Sequence, residues 1–322
     1  MRKICHGLGL FGSTLLAVLL FSACANNTSQ TLTSNSDSLP SQCRVVEHLA
    51  GETCVPNNPQ RIIAASESAL ESALILGITP TGTTNYAQQA DYLKQRLESP
   101  ASVGLHSRQL SLEKILNIKP DLILATDDYG EQQELYGRLS QIAPTVIGQW
   151  WDGQSIRWKE CFQLFSEAFG KTSEAEEIVN AYNQRVVELQ QQMGDHLRDT
   201  VISVVRIYSD RIRLYGKTKV ISSTILEDVG FPRPSSQDEG IDISLESINL
   251  ADGDIIFVST SDSESELYQQ VMSHPLWKQL KAVQSKQMYL VDDSYWTGSG
   301  YIAANLILDD LFKLLDDNYF GG

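Results

Sequence analysis

Metal and catalytic sites usually leave a signature in residue spacing, and few such signatures occur in this chain. The five histidines, His6, His48, His106, His196 and His274, lie far apart, with no HxxxH or HExxH pair to place two imidazoles on one helical face. No CxxC is present, so a structural zinc or an iron–sulfur cluster would lack its thiolates. Gly216-Lys217-Thr218 looks like the tail of a phosphate-binding loop, but the position five before the lysine is Ile212 rather than glycine. Gly298-Ser299-Gly300 does not make a nucleophile elbow, because position 297 is Thr. An exported α/β hydrolase with Ser, His and Asp converging in space stays as an alternative of a different class, without a motif behind it.

The residues that remain suit binding rather than bond making. Arg206 closes the apolar run Val201-Ile202-Ser203-Val204-Val205, so a permanent, forked positive charge should emerge at a strand end. It would suit an oxygen-rich anion, or else pair with one of the chain's many carboxylates. Arg108 is a loop residue of the same type. Trp150-Trp151 and Tyr295-Trp296 each follow a predicted strand, and such rings take small ligands that are part apolar and part polar, or pack into a core. Glu71 and Glu227 are single acids in apolar helical stretches, each a few residues before a closing glycine, Gly77 and Gly230. Either could be a solvated helix charge; together they could meet two basic pockets on one partner.

Positioning these side chains requires an ordered frame. Residues 111–125, SLEKILNIKPDLILA, and 244–258, SLESINLADGDIIFV, share a pattern: Ser-Leu-Glu, a short helical turn, then Asp at the mouth of a buried strand. Between these related halves the spacing predicts a helix over 173–193, with Ser173 as N-cap, Glu176 completing a capping box and Gly194 as the stop. At 1.5 Å per residue it would be roughly 30 Å long. Strands are expected near 61–65, 121–125, 145–148, 201–208, 254–259 and 287–291, with helices over 67–76, 86–97, 131–142, 220–229 and 300–315. Strands apolar on both faces argue for parallel sheets covered by helices. In such sheets ligands sit beyond the strands' carboxyl ends. That picks out Ser66, Glu67, Tyr86, residues 126–129, Trp150, Trp151, Arg206, Tyr208, Tyr295 and Trp296.

The chain has 322 residues, enough for two domains with full cores, and a formal charge of −15, which works against binding nucleic acid. Residues 1–23 read as a signal peptide, with Arg2 and Lys3 before an apolar run and Ser22-Ala23 before Cys24. Cys24 is the expected lipidation site, and 24–42 a polar tether. Cys43 and Cys54 flank two strand-like runs and should form a disulfide in an oxidising compartment. Cys161, beside Phe162 on an apolar helical face, should be a buried thiol.

The run GETCVPNNPQRII at 51–63, then Ser111-Leu112-Glu113, Lys119-Pro120-Asp121-Leu122-Ile123 and Val291-Asp292-Asp293-Ser294-Tyr295-Trp296, resembles the iron-siderophore substrate-binding lipoproteins of ABC importers. The resemblance covers the chain from about Cys43 onward. It implies an α/β fold of two Rossmann-like lobes with mainly parallel sheets, 43–172 and 195–322, joined by one long rigid helix, 173–194. It implies an Fe(III)-siderophore as ligand, with iron held by the chelate's oxygens and no direct metal site or covalent cofactor. The family's cleft Arg, Tyr and Trp map onto Arg206 and Trp296, then onto Tyr86, Tyr129 and Trp151; Tyr295, Tyr208 and Arg108 complete the expected ligand set. Glu71 and Glu227 correspond to the acids that dock on the permease of an ABC permease–ATPase complex. The expected protein is exported to the periplasm or the extracytoplasmic face of the cell membrane, anchored by its lipid, and is expected to be a monomer. Cobalamin or haem are alternative cargoes for the same clamp.

Overall fold

A strand with no polar alternation needs cover on both faces, and 122–127 is such a strand, buried along its whole length. The computed structural model describes residues 43–127 and 132–315; the expected signal peptide, Cys24, the tether and Tyr129 lie outside the described residues. The chain opens with an antiparallel hairpin of β1 (Cys43–His48) and β2 (Gly51–Pro56), cross-linked by the expected Cys43–Cys54 disulfide with its Cα atoms 5.4 Å apart.

Five parallel strands follow: β3 (Ile62–Ala64), β4 (Gly82–Thr83), β5 (Ala101–Ser102), β6 (Leu122–Asp127) and β7 (Thr145–Gln149), in the order β5-β4-β3-β6-β7. Strand β4 is short, and a Cβ on Gly82 would stand 2.8 Å from Ile63 Cδ1 and 2.9 Å from Val103 Cγ1, so glycine is needed for its approach to the sheet. The second sheet holds β8 (Ile202–Ile207), β9 (Ile212–Tyr215), β10 (Gly240–Ile243), β11 (Ile255–Ser259) and β12 (Met288–Val291), in the order β10-β9-β8-β11-β12. Here β8, β11 and β12 are parallel, whereas β9 and β10 run antiparallel to their neighbours.

The repeated Ser-Leu-Glu…Asp pattern has a physical role at its aspartates. Asp121 accepts hydrogen bonds from the N–H groups of Gln60 and Arg61, both at 2.8 Å, just before β3. Asp254 accepts one from Val201 at 2.7 Å, just before β8. Each carboxylate ties the start of a central strand to the strand paired with it.

The long helix runs Thr172–Met193 and departs from the expected start. Lys171 sits at its cap, and no side chain closes the end. The helix Trp158–Phe169 ends at Gly170 (φ 70°), which leaves only the Gly170-Lys171 corner between two helices. Ser173 is therefore already helical, and the capping box does not form. The single helix expected over 86–97 is broken at Ala90 (ψ 112°) into Asn85–Gln89 and Asp91–Lys94.

One hydrophobic core spans both sheets. Ile62, Leu122, Leu124 and Val146 on the first sheet and Ile202, Val204, Ile255 and Phe257 on the second belong to a single cluster, joined through Tyr182, Leu189 and the last helix, Tyr301–Leu314. The alternate strand residues face outward into two smaller clusters, one per lobe, as the two-residue side-chain period requires. Polar contacts stitch the same boundary: Trp158 Nε1 donates to Thr224 Oγ1 (2.9 Å), and Lys159 (2.5 Å) and Tyr182 (2.6 Å) both donate to Asp228.

Candidate ligand-binding cleft

In each sheet the strand order reverses between two central strands, β3/β6 in the first and β8/β11 in the second. Crevices open beyond the carboxyl ends of strands at such reversals. On the first lobe, Ser66, Thr84, Tyr86, Arg108, Thr126 and Trp150 line a cavity of about 380 Å³. On the second, Arg206, Thr260, Ser261, Asp292 and Asp293 line one of about 830 Å³. Glu67, Tyr86 and Thr297 belong to both linings, so the two cavities are parts of one cleft.

The expected ligand residues fall into three groups. Tyr86, Arg108 and Arg206 line the cleft, and Tyr86 is 55% exposed on the short helix capped by Thr84. Tyr208 contacts Arg206 rather than the cavities: its hydroxyl accepts from Arg206 Nη1 at 3.1 Å and lies 2.9 Å from the Tyr215 hydroxyl, with the guanidinium 4.5 Å from its ring centre. Arg206 itself donates to Asp293 Oδ2 at 2.6 Å. The structure thus shows the ion pair, on an arginine that also lines the cleft.

The remaining ones among the described residues, Trp296, Tyr295 and Trp151, lie elsewhere. Trp296 is 1% exposed, its ring 4.6 Å from Phe257 and its Nε1 donating to Asp310 at 2.8 Å. The placement of Trp296 on the cleft wall is corrected, because Asp293–Trp296 is a helical turn capped by Asp292, and the turn carries the indole into the core. Tyr295 donates to the same Asp310 oxygen at 2.8 Å and packs edge-on to Tyr92 behind the cleft. Trp151 lies outside both linings, beneath Lys219 Nζ at 4.8 Å; its neighbour Trp150 faces the cavity.

Glu71 requires a second correction. It is fully buried, accepting from Ser299 N (2.7 Å), Ala303 N (3.1 Å) and the Tyr92 hydroxyl (2.5 Å). The helix Glu67–Ile75 turns this carboxylate inward onto the amino end of Tyr301–Leu314, where free N–H groups and the helix dipole favour an anion. It is unavailable to a partner. Burial raises its pKa, and the donors from Tyr92 and the backbone oppose that rise. Glu227, in contrast, is exposed on Ile221–Val229.

Sequence reasoning placed Glu67 among strand-end residues without giving it a role. Ser66 caps the helix by accepting from Ala69 N at 3.2 Å, which leaves Glu67 half-buried at the first helical position. Its Oε1 lies 3.0 Å from the Tyr92 hydroxyl. Burial first, then the charge on Glu71, pushes its carboxyl up to about 8. Tyr92 was missed because the break at Ala90 that brings it to the two acids has no glycine or proline to announce it. Among the described residues, no group of three or more His, Cys, Asp or Glu is placed to hold a metal ion, and no helix is long and apolar enough to cross a membrane.

Comparison with known proteins places the chain among similar sequences and folds. Residues 62–295 match the protein family described as periplasmic binding protein. The chain is 36% identical over 318 residues to a probable siderophore-binding lipoprotein, YfiY, of Bacillus subtilis (strain 168), spanning 92% of this chain and 94% of that protein. It is 33% identical over 271 residues to the achromobactin-binding periplasmic protein of Dickeya dadantii (strain 3937), spanning 80% and 86%. The crystal structure of Staphylococcus aureus SirA complexed with staphyloferrin B superposes with a TM-score of 0.72 at 29% identity, covering 84% of this chain and 98% of that one.

Proposed function

The chain belongs to the periplasmic binding protein family, and we propose that it captures a ferric siderophore between its lobes and delivers it to an ABC permease–ATPase complex for iron uptake. Members of this family are binding proteins, and they work outside the cytoplasm. The observation that carries the reading is the cleft at both strand-order reversals, with volumes of about 380 and 830 Å³ and walls of Tyr86, Trp150, Arg108 and Arg206. Cavities of several hundred Å³ suit a compact chelate. Iron enters and leaves inside the chelate's own oxygens, so the protein's task is to recognise the outside of the complex. Tyr86 and Trp150 offer aromatic faces, Arg206 and Arg108 offer forked donors, and Tyr208 steadies Arg206. The relatives named for siderophore or achromobactin binding support this cargo. A lipid on Cys24 would hold the protein, as a monomer, at the extracytoplasmic face of the membrane. Glu227 would meet the permease from the second lobe.

The test is quenching of tryptophan fluorescence, with Trp150 as the reporter in the cleft wall. Ferric citrate-type, hydroxamate and catecholate chelates are titrated beside haem, cobalamin and bare Fe(III). Saturable quenching by one ferric chelate, weakened at least about tenfold by Tyr86→Ala or Arg206→Ala, is the expected result, equivalent to about 1.4 kcal/mol. Saturation by haem or cobalamin alone would change the cargo. No saturation with any of them would overturn the reading.

A further inference from the structure

We propose that Glu67 is a proton-gated specificity residue: as a neutral acid it leaves the cleft open to an anionic ferric chelate, and once ionised it repels one. The inference rests on the binding function above and concerns the charge class of the cargo.

The argument begins with a count of protons. The Tyr92 oxygen lies 3.0 Å from Glu67 Oε1 and 2.5 Å from Glu71 Oε1, two hydrogen bonds along a row of three oxygens. Two such bonds need two protons, and the tyrosine hydroxyl supplies one. The other must sit on a carboxyl group. Glu71 is already committed as an acceptor, since Oε1 takes the N–H of Ser299 and Oε2 that of Ala303. The second proton therefore belongs to Glu67.

The surroundings favour the same assignment. Around Glu67 stand Glu71 from its own helix, Tyr92 from Asp91–Lys94, Tyr86 from Asn85–Gln89, and Ser299 ahead of the last helix. Across the cleft, Arg206 is its counter-charge, and Asp293 already neutralises that guanidinium. His106 and Arg108 complete the rim of the first cavity. Like charge from Glu71 and removal from water disfavour a second anion at this spot. Because Glu67 lines both cavities, any cargo filling the cleft passes beside it. An ionised Glu67 would add negative charge to a lining that already contains Asp91, Asp292 and Asp293.

The test compares the whole protein with Glu67→Gln, which is permanently neutral and whose amide N–H can replace the acid's O–H as the donor to Tyr92. Dissociation constants for ferric citrate are measured from about pH 6 to about pH 9.5, and the ratio between the two proteins is read so that changes in the chelate cancel. With a carboxyl at about 8, the binding-competent fraction falls about tenfold per pH unit above that value, and the ratio should rise with it. A constant ratio across the range overturns the proposal. If neither protein binds ferric citrate or any other chelate, the binding function is what fails. A carbon-13 titration of the Glu67 carboxyl in the unliganded protein decides in every case: titration near 8 supports the gate, and titration below about 6 overturns it.

Discussion

Replacing Glu71 by alanine separates a structural carboxylate from a docking one. The side chain is fully buried and holds two backbone donors, Ser299 N and Ala303 N, together with the Tyr92 hydroxyl. Truncation leaves those N–H groups without partners, at about 1–3 kcal/mol each. It also removes an anion from the amino end of Tyr301–Leu314, up to about 1 kcal/mol more, while relieving the cost of burying that charge. The expected net loss is about 3–5 kcal/mol. At about 2–4 °C per kcal/mol for a chain of this size, the melting temperature should fall by roughly 10 °C. Glu71→Gln keeps one acceptor oxygen but turns an amide N–H toward the remaining donor, so about half the loss is expected. Scanning calorimetry, checked by urea unfolding, measures both. A melting temperature within about 2 °C of wild type for Glu71→Ala, with iron transport abolished, would refute the reasoning and restore the docking role.

Further outcomes follow from the same interactions. The Glu67 carboxyl sits at about 8 in the folded protein and near 4.3 in an unfolded chain, so between those values the folded state holds a proton that the unfolded chain has released. Stability should then be greatest at the acidic end of that window and decline as pH rises through it, and Glu67→Gln should flatten the decline in a series of thermal melts. Reducing Cys43–Cys54 opens a loop with a sequence separation of 11, worth about 3 kcal/mol of unfolded-chain entropy, and calorimetry with and without reductant should register a clear drop in melting temperature. Cys161 is buried, its Sγ 3.4 Å from Gln149 O, so a thiol reagent should find no reactive group in the native described region and one in urea.

Much of the frame could be read from residue types, because its cause is local. Strand β6 has no polar residue before Thr126, which requires a doubly covered strand, and Asp121 and Asp254 recur at equivalent strand mouths in both halves. The antiparallel β9 and β10 were missed: β9 alternates buried Ile212 and Leu214 with half-buried Arg213 and Tyr215, a pattern only four residues long. The site was less legible because its contacts are distant in sequence. Glu71 meets partners 228 and 232 residues away, and nothing in SALESALIL tells which side of the helix is covered. Arg206 was identified by its strand, but Asp293, which neutralises it, lies 87 residues on. Trp296 was misplaced by a single helical turn, since an aromatic after a strand can enter either the cleft or the core.

The hydrophobic cluster that runs through both sheets bears on how this molecule comes apart. Inner-face residues of the two lobes share neighbours in Tyr182, Leu189 and the helix Tyr301–Leu314, so neither lobe can lose its packing without exposing the other's. Melting should therefore proceed in one cooperative step, with calorimetric and van't Hoff enthalpies in agreement, and cutting the chain within Thr172–Met193 should not release two stable halves. In folding terms the cleft is a notch in a single unit, and the walls facing a ligand are stabilised by the same apolar contacts that hold the whole chain.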